Sequence, residues 1–147
     1  MEDSKSTSGY VFMMSGGVVG WYSRKLPIVT LSTTEAKFFA ASVCACQGVW
    51  MRRILKGINH SQSERKMLMC DNTSNIKLSK NQVLCERSKH IWVRFHFLRD
   101  LTKGGIVNLL FCGTQNQLVD LLTKPLKLKA FQKLREELGM QSFSNLN

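Results

Sequence analysis

A mixed α/β domain is what the 147 residues predict, on three observations. Short runs of β-branched, aromatic and aliphatic residues, bounded by glycine and polar turn residues, mark strands. Longer segments with apolar residues three and four apart mark helices. The two kinds alternate along the chain in the order β-β-α-β-α-α-β-α-α, the pattern of a mixed α/β domain. At this length one domain is expected, over residues 1–140, with a frayed tail at 141–147.

Taken in order, GYVFMM (Gly9–Met14) and the run Val18–Ser23 read as two strands. The SGG turn between them makes a hairpin of the pair. Pro27 and the β-branched run after it lead into a long helix from Ser32 to Leu55, with Gly57 as its stop. Met67–Cys70 reads as a short buried strand, followed by a short helix at Asn72–Ser79. A loop through Val83–Arg87 precedes an amphipathic helix at Lys89–Lys103, which Gly104 and Gly105 end. Ile106–Cys112 reads as a strand and Gln117–Lys124 as a helix closed by Pro125. A last helix spans Ala130–Leu138 and stops at Gly139.

Composition narrows the function. Twenty-one Lys and Arg against ten Asp and Glu leave a net charge of +11, which favours a polyanionic partner, by default nucleic acid. No apolar run approaches the roughly 20 residues of a membrane span. The polar start MEDSKSTSG is neither a signal nor a transit peptide. Five cysteines, without a CxxC pair, give no disulfide framework or zinc ribbon. An intracellular, reducing setting is therefore expected, whether cytoplasmic or nuclear. Cys85, His90 and His96 are possible metal ligands, but histidines six residues apart do not meet at one point on a helix.

Three carboxylates stand out against the basic background. Glu35 closes STTE, a capping box in which it bonds back to the helix start. Helical phase also sets it on one face with Phe39, Cys46 and Val49, and a charge on a greasy face needs a partner, a metal ion among the options. Asp71 follows a buried strand. It suits a helix cap, yet strand ends in open α/β sheets are also where ligands bind. Asp120 falls on the polar side of LVDLL, where an exposed acid near a helix start gains from the dipole. On the helix Lys89–Lys103, Trp92, His96, Arg99 and Lys103 share a face at steps of four, three and four. Such a stripe suits sugars and phosphates, and suits an ordinary solvated face equally.

The segments SKSTSGYVF, GWYSRKLPIVTLSTTEAKFFA, CDNTSNIKLSKN, ERSKHIWVRFHFLRD and TQNQLVDLLTKPL, in that order, resemble the ribonuclease H domain of copia-type retrotransposon polyproteins. The resemblance runs through LREELGM. It implies an RNase H-like mixed sheet flanked by helices, and cleavage of the RNA strand of an RNA–DNA hybrid at two Mg²⁺ ions, with Mn²⁺ as an alternative. It further implies that Glu35, Asp71 and Asp120 are three of four metal-binding acids. Mg²⁺ is a hard ion that takes oxygen ligands, which accounts for the residue type. The upstream reverse transcriptase region of the same polyprotein is the implied covalent partner.

Departures from the family pattern carry their own expectations. The first catalytic Asp of the family lies on a central strand before STSGY, a stretch not in this chain. Glu2 and Asp3 fall at a loop position and do not replace it. Poor stability and weak or absent activity follow, with a nucleic-acid-binding remnant or a decayed transposon fragment as the alternative. Lys37 and Phe38 stand where the family has an acid and Tyr, and Trp92 where it has an acid. CGTQNQ offers no assisting His.

Overall fold

The computed structural model describes residues 5–80 and 89–141, without the side chains of 89–91. It is a mixed α/β structure of four strands and five helices among the described residues. The strands pair as two separate two-stranded sheets, and the chain divides into two compact units. One unit holds the residues up to Val29 together with those from Gly113 onward; the other is Thr30–Cys112. The expected loop at Val83–Arg87 and nearly all of the expected tail lie outside the described residues.

In the first unit, β1 (Thr7–Met14) and β2 (Gly17–Lys25) form an antiparallel hairpin. Ser15 and Gly16 join them with φ of 51° and 81°. Two consecutive positive φ angles give the turn whose twist matches that of the strands. Tyr10 faces Tyr22 in the register, and the two rings stack at 5.2 Å. The register shifts between Phe12 and Met13, a bulge that the alternation alone does not announce. Both strands run longer than the apolar pattern suggests, because backbone pairing continues beneath polar residues at the open end. The Leu26 N–H still donates to the Ser6 carbonyl at 2.8 Å.

The segment after Cys112 departs most from its sequence reading. In place of a helix at Gln117–Lys124 there is a 3-10 turn at Thr114–Asn116, then one turn of helix, α4 (Asp120–Thr123). α5 (Leu128–Glu137) follows. Lys133 of α5 donates to the Asn116 side-chain oxygen at 2.7 Å and so fastens α5 to the 3-10 turn. Ser23 on β2 donates to the Leu122 carbonyl at 2.6 Å. A Cβ added to Gly9 would lie 2.5 Å from the Tyr22 carbonyl oxygen and about 3 Å from the Thr123 and Val119 methyls, so β1 passes α4 only because residue 9 has no side chain.

In the second unit, α1 (Thr33–Gly57), β3 (Lys66–Cys70), α2 (Thr73–Lys80), α3 (Lys89–Lys103) and β4 (Val107–Phe111) follow in order. β3 and β4 are parallel, with Leu68 opposite Leu109. The core is Phe38, Ala45, Leu68, Phe95, Leu98, Val107 and Leu109. Phe38 and Phe95 stack at 5.3 Å and so join α1 to α3. Met67, Met69 and Leu110 point away from this core and are exposed. The buried line of α1 is Phe38, Ser42, Ala45 and Gly48, whereas Cys46 is exposed. The face expected to be greasy, through Glu35, Phe39 and Cys46, is thus covered only near the helix start. Phe38 and Ala45, which meet the sheet, set the phase.

Helix ends follow backbone chemistry. α1 ends at Gly57, and the residue that closes it in the left-handed conformation is Asn59, at φ 61°. The Asn59 and His60 N–H groups then return to the Lys56 and Leu55 carbonyls. Asn tolerates this conformation nearly as well as Gly, so the helix gains its last turn. α3 and α5 close the same way, on Gly105 and Gly139.

No helix among the described residues is long and apolar enough to cross a membrane. Cys44, Cys46 and Cys70 are free thiols. Burial pushes Cys44 up to about 12 and also raises Cys70, so neither is a nucleophile near neutral pH.

Gly9→Ala is expected to destabilise the chain by about 1–3 kcal/mol, the usual cost of forcing atoms into a filled space. Urea unfolding followed by circular dichroism measures it, and Gly57→Ala, whose added Cβ meets open space, serves as the matched control.

Candidate functional site

The site begins where α1 starts and β3 ends, both in the second unit. Ser32 caps α1: its Oγ accepts the Glu35 N–H at 3.2 Å. Glu35 returns the bond with Oε2, which accepts the Leu31 N–H at 2.8 Å. The capping box read from STTE is therefore present, reaching one residue further back than its usual form. Glu35 is half-buried and holds the path of the chain into the helix.

Asp71 is not the cap of α2. Asn72 is: its side-chain oxygen accepts the Asn75 N–H at 3.1 Å, and its carbonyl accepts the Ile76 N–H. Asp71 is left for another partner, and that partner is Lys37. The Lys37 ammonium lies 2.8 Å from Asp71 Oδ2; the Asp71 side chain is 8% exposed and that of Lys37 36%. Withdrawing a carboxylate this far from water is costly unless a donor meets it. One turn into α1, Lys37 is placed to do so.

Two amides lock the junction. Asn72 Nδ2 donates to Thr34 Oγ1 at 3.5 Å. Asn75 is fully buried. With its amide nitrogen turned to the Thr34 carbonyl and its oxygen to the Phe38 N–H, it makes two bonds of 3.1 Å. The first turn of α1, the end of β3 and the start of α2 are thus one hydrogen-bonded assembly. The motif Asn-x-x-Asn at 72–75 was its sequence signal: the first Asn caps, and the second, three residues on, points back over the same turn. Neither amide was singled out from the sequence. Lys37 was noted only as a departure from the family pattern.

Asp120 belongs to the first unit. The exposed position read from its place in LVDLL is wrong: its side chain is 7% exposed. The helix there is a single turn, so a helical wheel has no face to assign. Lys124 Nζ sits 3.0 Å from each of the two carboxylate oxygens. The i, i+4 spacing of Asp120 and Lys124 was readable in sequence.

On α3 three residues of the expected stripe, Trp92, His96 and Arg99, are in contact. Trp92 meets the His96 ring edge to face at 4.4 Å, and Arg99 Nη2 donates to His96 Nδ1 at 2.6 Å. A guanidinium can only donate, so Nδ1 is the accepting nitrogen in this contact. Trp92 and Lys103 are exposed, and the neighbouring face of α3 buries Phe95 and Leu98 as the periodicity requires. One element over, the Arg94 guanidinium lies 4.0 Å above the Phe39 ring and ties α3 to the start of α1. Cys85 and the side chain of His90 lie outside the described residues.

The fit of a divalent cation is uneven across these acids. Within each unit, no three His, Cys, Asp or Glu side chains among the described residues are grouped to hold a metal ion. Carboxylate oxygens are the right donors for Mg²⁺. Asp71 fits best, since it already holds a cation, the lysine ammonium, at hydrogen-bonding distance.

Comparison with known proteins gives the class. No family model matches the chain, and no solved structure matches it. It is 36% identical over 142 residues to the retrovirus-related Pol polyprotein from transposon TNT 1-94 of Nicotiana tabacum, covering 97% of this chain and 11% of that protein. Against the Pol polyproteins from transposons RE2 and RE1 of Arabidopsis thaliana it is 31% and 30% identical, covering 95% of this chain and 10% of each. These are proteins of mobile elements, and the similarity runs through nearly all of the chain. The chain belongs to the retrovirus-related Pol polyproteins of copia-type transposons, and spans about a tenth of the length of the relatives it matches.

Asn75→Ala is expected to cost about 1–3 kcal/mol, because it strips partners from the buried Thr34 carbonyl and Phe38 N–H. Thermal unfolding measures the loss. Amide hydrogen exchange should localise it to the first turn of α1.

Proposed function

We propose that this chain is the ribonuclease H-like region of a Pol polyprotein, and that it acts on RNA–DNA hybrids by hydrolysing the RNA strand. The observation that carries the reading is Asp71. It is a nearly buried carboxylate at the end of a parallel strand, released from capping duty by Asn72 and already holding a positive charge. Glu35 sits in the helix turn bonded to the same junction. These two acids, with Asp120 as the third that the family resemblance names, are the residues that would hold Mg²⁺. When bound, two such ions supply an activated water and charge stabilisation at the leaving oxygen.

The chain's own contribution is binding and positioning. Trp92 offers a flat apolar face, Lys103 an exposed charge, and Arg99 a guanidinium already oriented by His96. These suit the sugars and phosphates of a hybrid backbone, which sequence-independent binders hold mainly by charge. The net charge of +11 has the sign such a partner requires.

A second reading is hybrid binding without hydrolysis. It is favoured by one specific observation: lysine ammonium groups already sit on two of the three acids, Lys37 on Asp71 and Lys124 on Asp120.

Incubating the chain with a labelled hybrid and Mg²⁺ decides between the two. Under the first reading Asp71→Asn lowers cleavage by about 100-fold or more, above the 10–100-fold typical of outer-shell partners; cleavage unaffected by that substitution would sink it. Under either reading Arg99→Glu with Lys103→Glu weakens hybrid binding and lowers the slope of log K against log salt by about 2, one for each phosphate contact. An unchanged slope would remove α3 from the interface.

A further inference from the structure

Asp71 and its neighbours raise a question that the function above does not settle: what the ammonium on the carboxylate does. Building on the reading of Asp71 as a metal-binding acid, we infer that Lys37 is an internal cation that competes with divalent metal for Asp71, so that metal loading requires the lysine to leave.

The geometry supports competition over simple support. Lys37 Nζ and Asp71 Oδ2 are 2.8 Å apart, the distance of a charge-assisted hydrogen bond. A metal ion bound at that oxygen would need the space and the lone pair that the ammonium now uses. If Lys37 stayed, two positive charges would stand within a few ångströms of each other in a poorly hydrated corner, where repulsion is far stronger than in bulk water. The backbone on both sides of the carboxylate is held in place. Its neighbour Asn72 is held by Thr34 and by the start of α2, and Cys70 is paired in the sheet.

The lysine, by contrast, is free to go. Its side chain is 36% exposed, on a flexible four-carbon stem at the outer edge of the junction. Displacing it returns a charge to water without opening the core, because the Phe38 and Asn75 contacts that bind α1 to α2 and α3 do not involve it. Lys37 therefore behaves as a latch on one carboxylate. A polyanionic hybrid is the natural agent to draw it off, since its phosphates offer the ammonium an alternative partner.

The test uses the whole chain and Mn²⁺ as the probe, titrated with the electron paramagnetic resonance signal of the free ion as readout. Lys37→Gln removes the charge; Lys37→Arg keeps it. Wild type and Lys37→Arg are expected to bind Mn²⁺ weakly. Lys37→Gln is expected to bind at least about tenfold more tightly, the lower end of what outer-shell changes produce at metal sites. Lys37→Gln combined with Asp71→Asn is expected to lose that gain. Circular dichroism checks folding, and Lys37→Met, which keeps the length of the stem, takes the place of Lys37→Gln if that variant does not fold. Equal Mn²⁺ affinity in Lys37→Gln and wild type overturns the inference, as does a gain that survives Asp71→Asn. The same samples separate this inference from the function it rests on. A gain in Mn²⁺ affinity with no hybrid binding by any variant upholds the latch and rejects the hybrid reading. Hybrid cleavage with the same Mg²⁺ dependence in wild type and Lys37→Gln rejects the latch and upholds the hybrid reading.

Discussion

The Thr30–Cys112 unit is organised around the cost of withdrawing one carboxylate from water. Asp71 stands where β3 leaves the sheet, and its charge must be met there or the strand end would open. Lys37, one turn into α1, meets it at 2.8 Å from the outer edge of the junction. The rotation of α1 that brings Lys37 there is set by Phe38, stacked on Phe95, and by Ala45 in the core. Asn72 and Asn75 then add neutral bonds to the same turn, so the junction does not rest on the ion pair alone. Position is set by packing and rigidity by the amides, and the ion pair meets the charge.

The first unit solves a similar problem with less chain. Asp120 is also nearly buried and is also met by a lysine, but from its own single helical turn. No distant element has to be aligned for that pair to form. The alignment is done instead by backbone: Ser23 bonds to the Leu122 carbonyl, and Gly9 lets β1 pass close to Thr123 and Val119. A glycine at a crossing and a hydroxyl on a carbonyl are local devices, suited to a segment whose helices are short.

How much of this was legible in the sequence depended on whether the signal was local. The hairpin was, because Ser15–Gly16 supplies the two positive φ angles between alternating runs. The start of α1 was, since Ser32 and Glu35 make their bonds within four residues. α3 was predicted residue for residue, with Phe95 and Leu98 inward and Trp92 and Lys103 outward. Readings failed where one local rule was extended too far. A helical wheel put Asp120 outside, but only one turn of helix exists for the wheel to describe. α1 ends at Gly57 as expected, but the left-handed residue that closes it is Asn59. The apolar face of α1 was drawn through Cys46, because periodicity cannot say which of two adjacent stripes meets a sheet. The Lys37–Asp71 pair was out of reach for a different reason. It joins residues 34 positions apart, and nothing in the neighbourhood of either one names the other.

That last gap bears on how family resemblance is read. Resemblance assigns a residue type to a position, and at Glu35, Asp71 and Asp120 the type is the one that metal chemistry needs. What a carboxylate does is decided by the donors around it, and those differ among the three. Glu35 is engaged by a backbone N–H at the entry to a helix, Asp71 by a lysine from another element, and Asp120 by a lysine four residues on. In a chain with twice as many basic as acidic residues, a buried acid meets an ammonium more readily than it meets water. The excess charge that would draw a polyanion to the surface thus also supplies the groups that cover these acids. Surface attraction and carboxylate occupancy are two consequences of one composition, so a polyanion that engages the lysines changes the state of the acids as well.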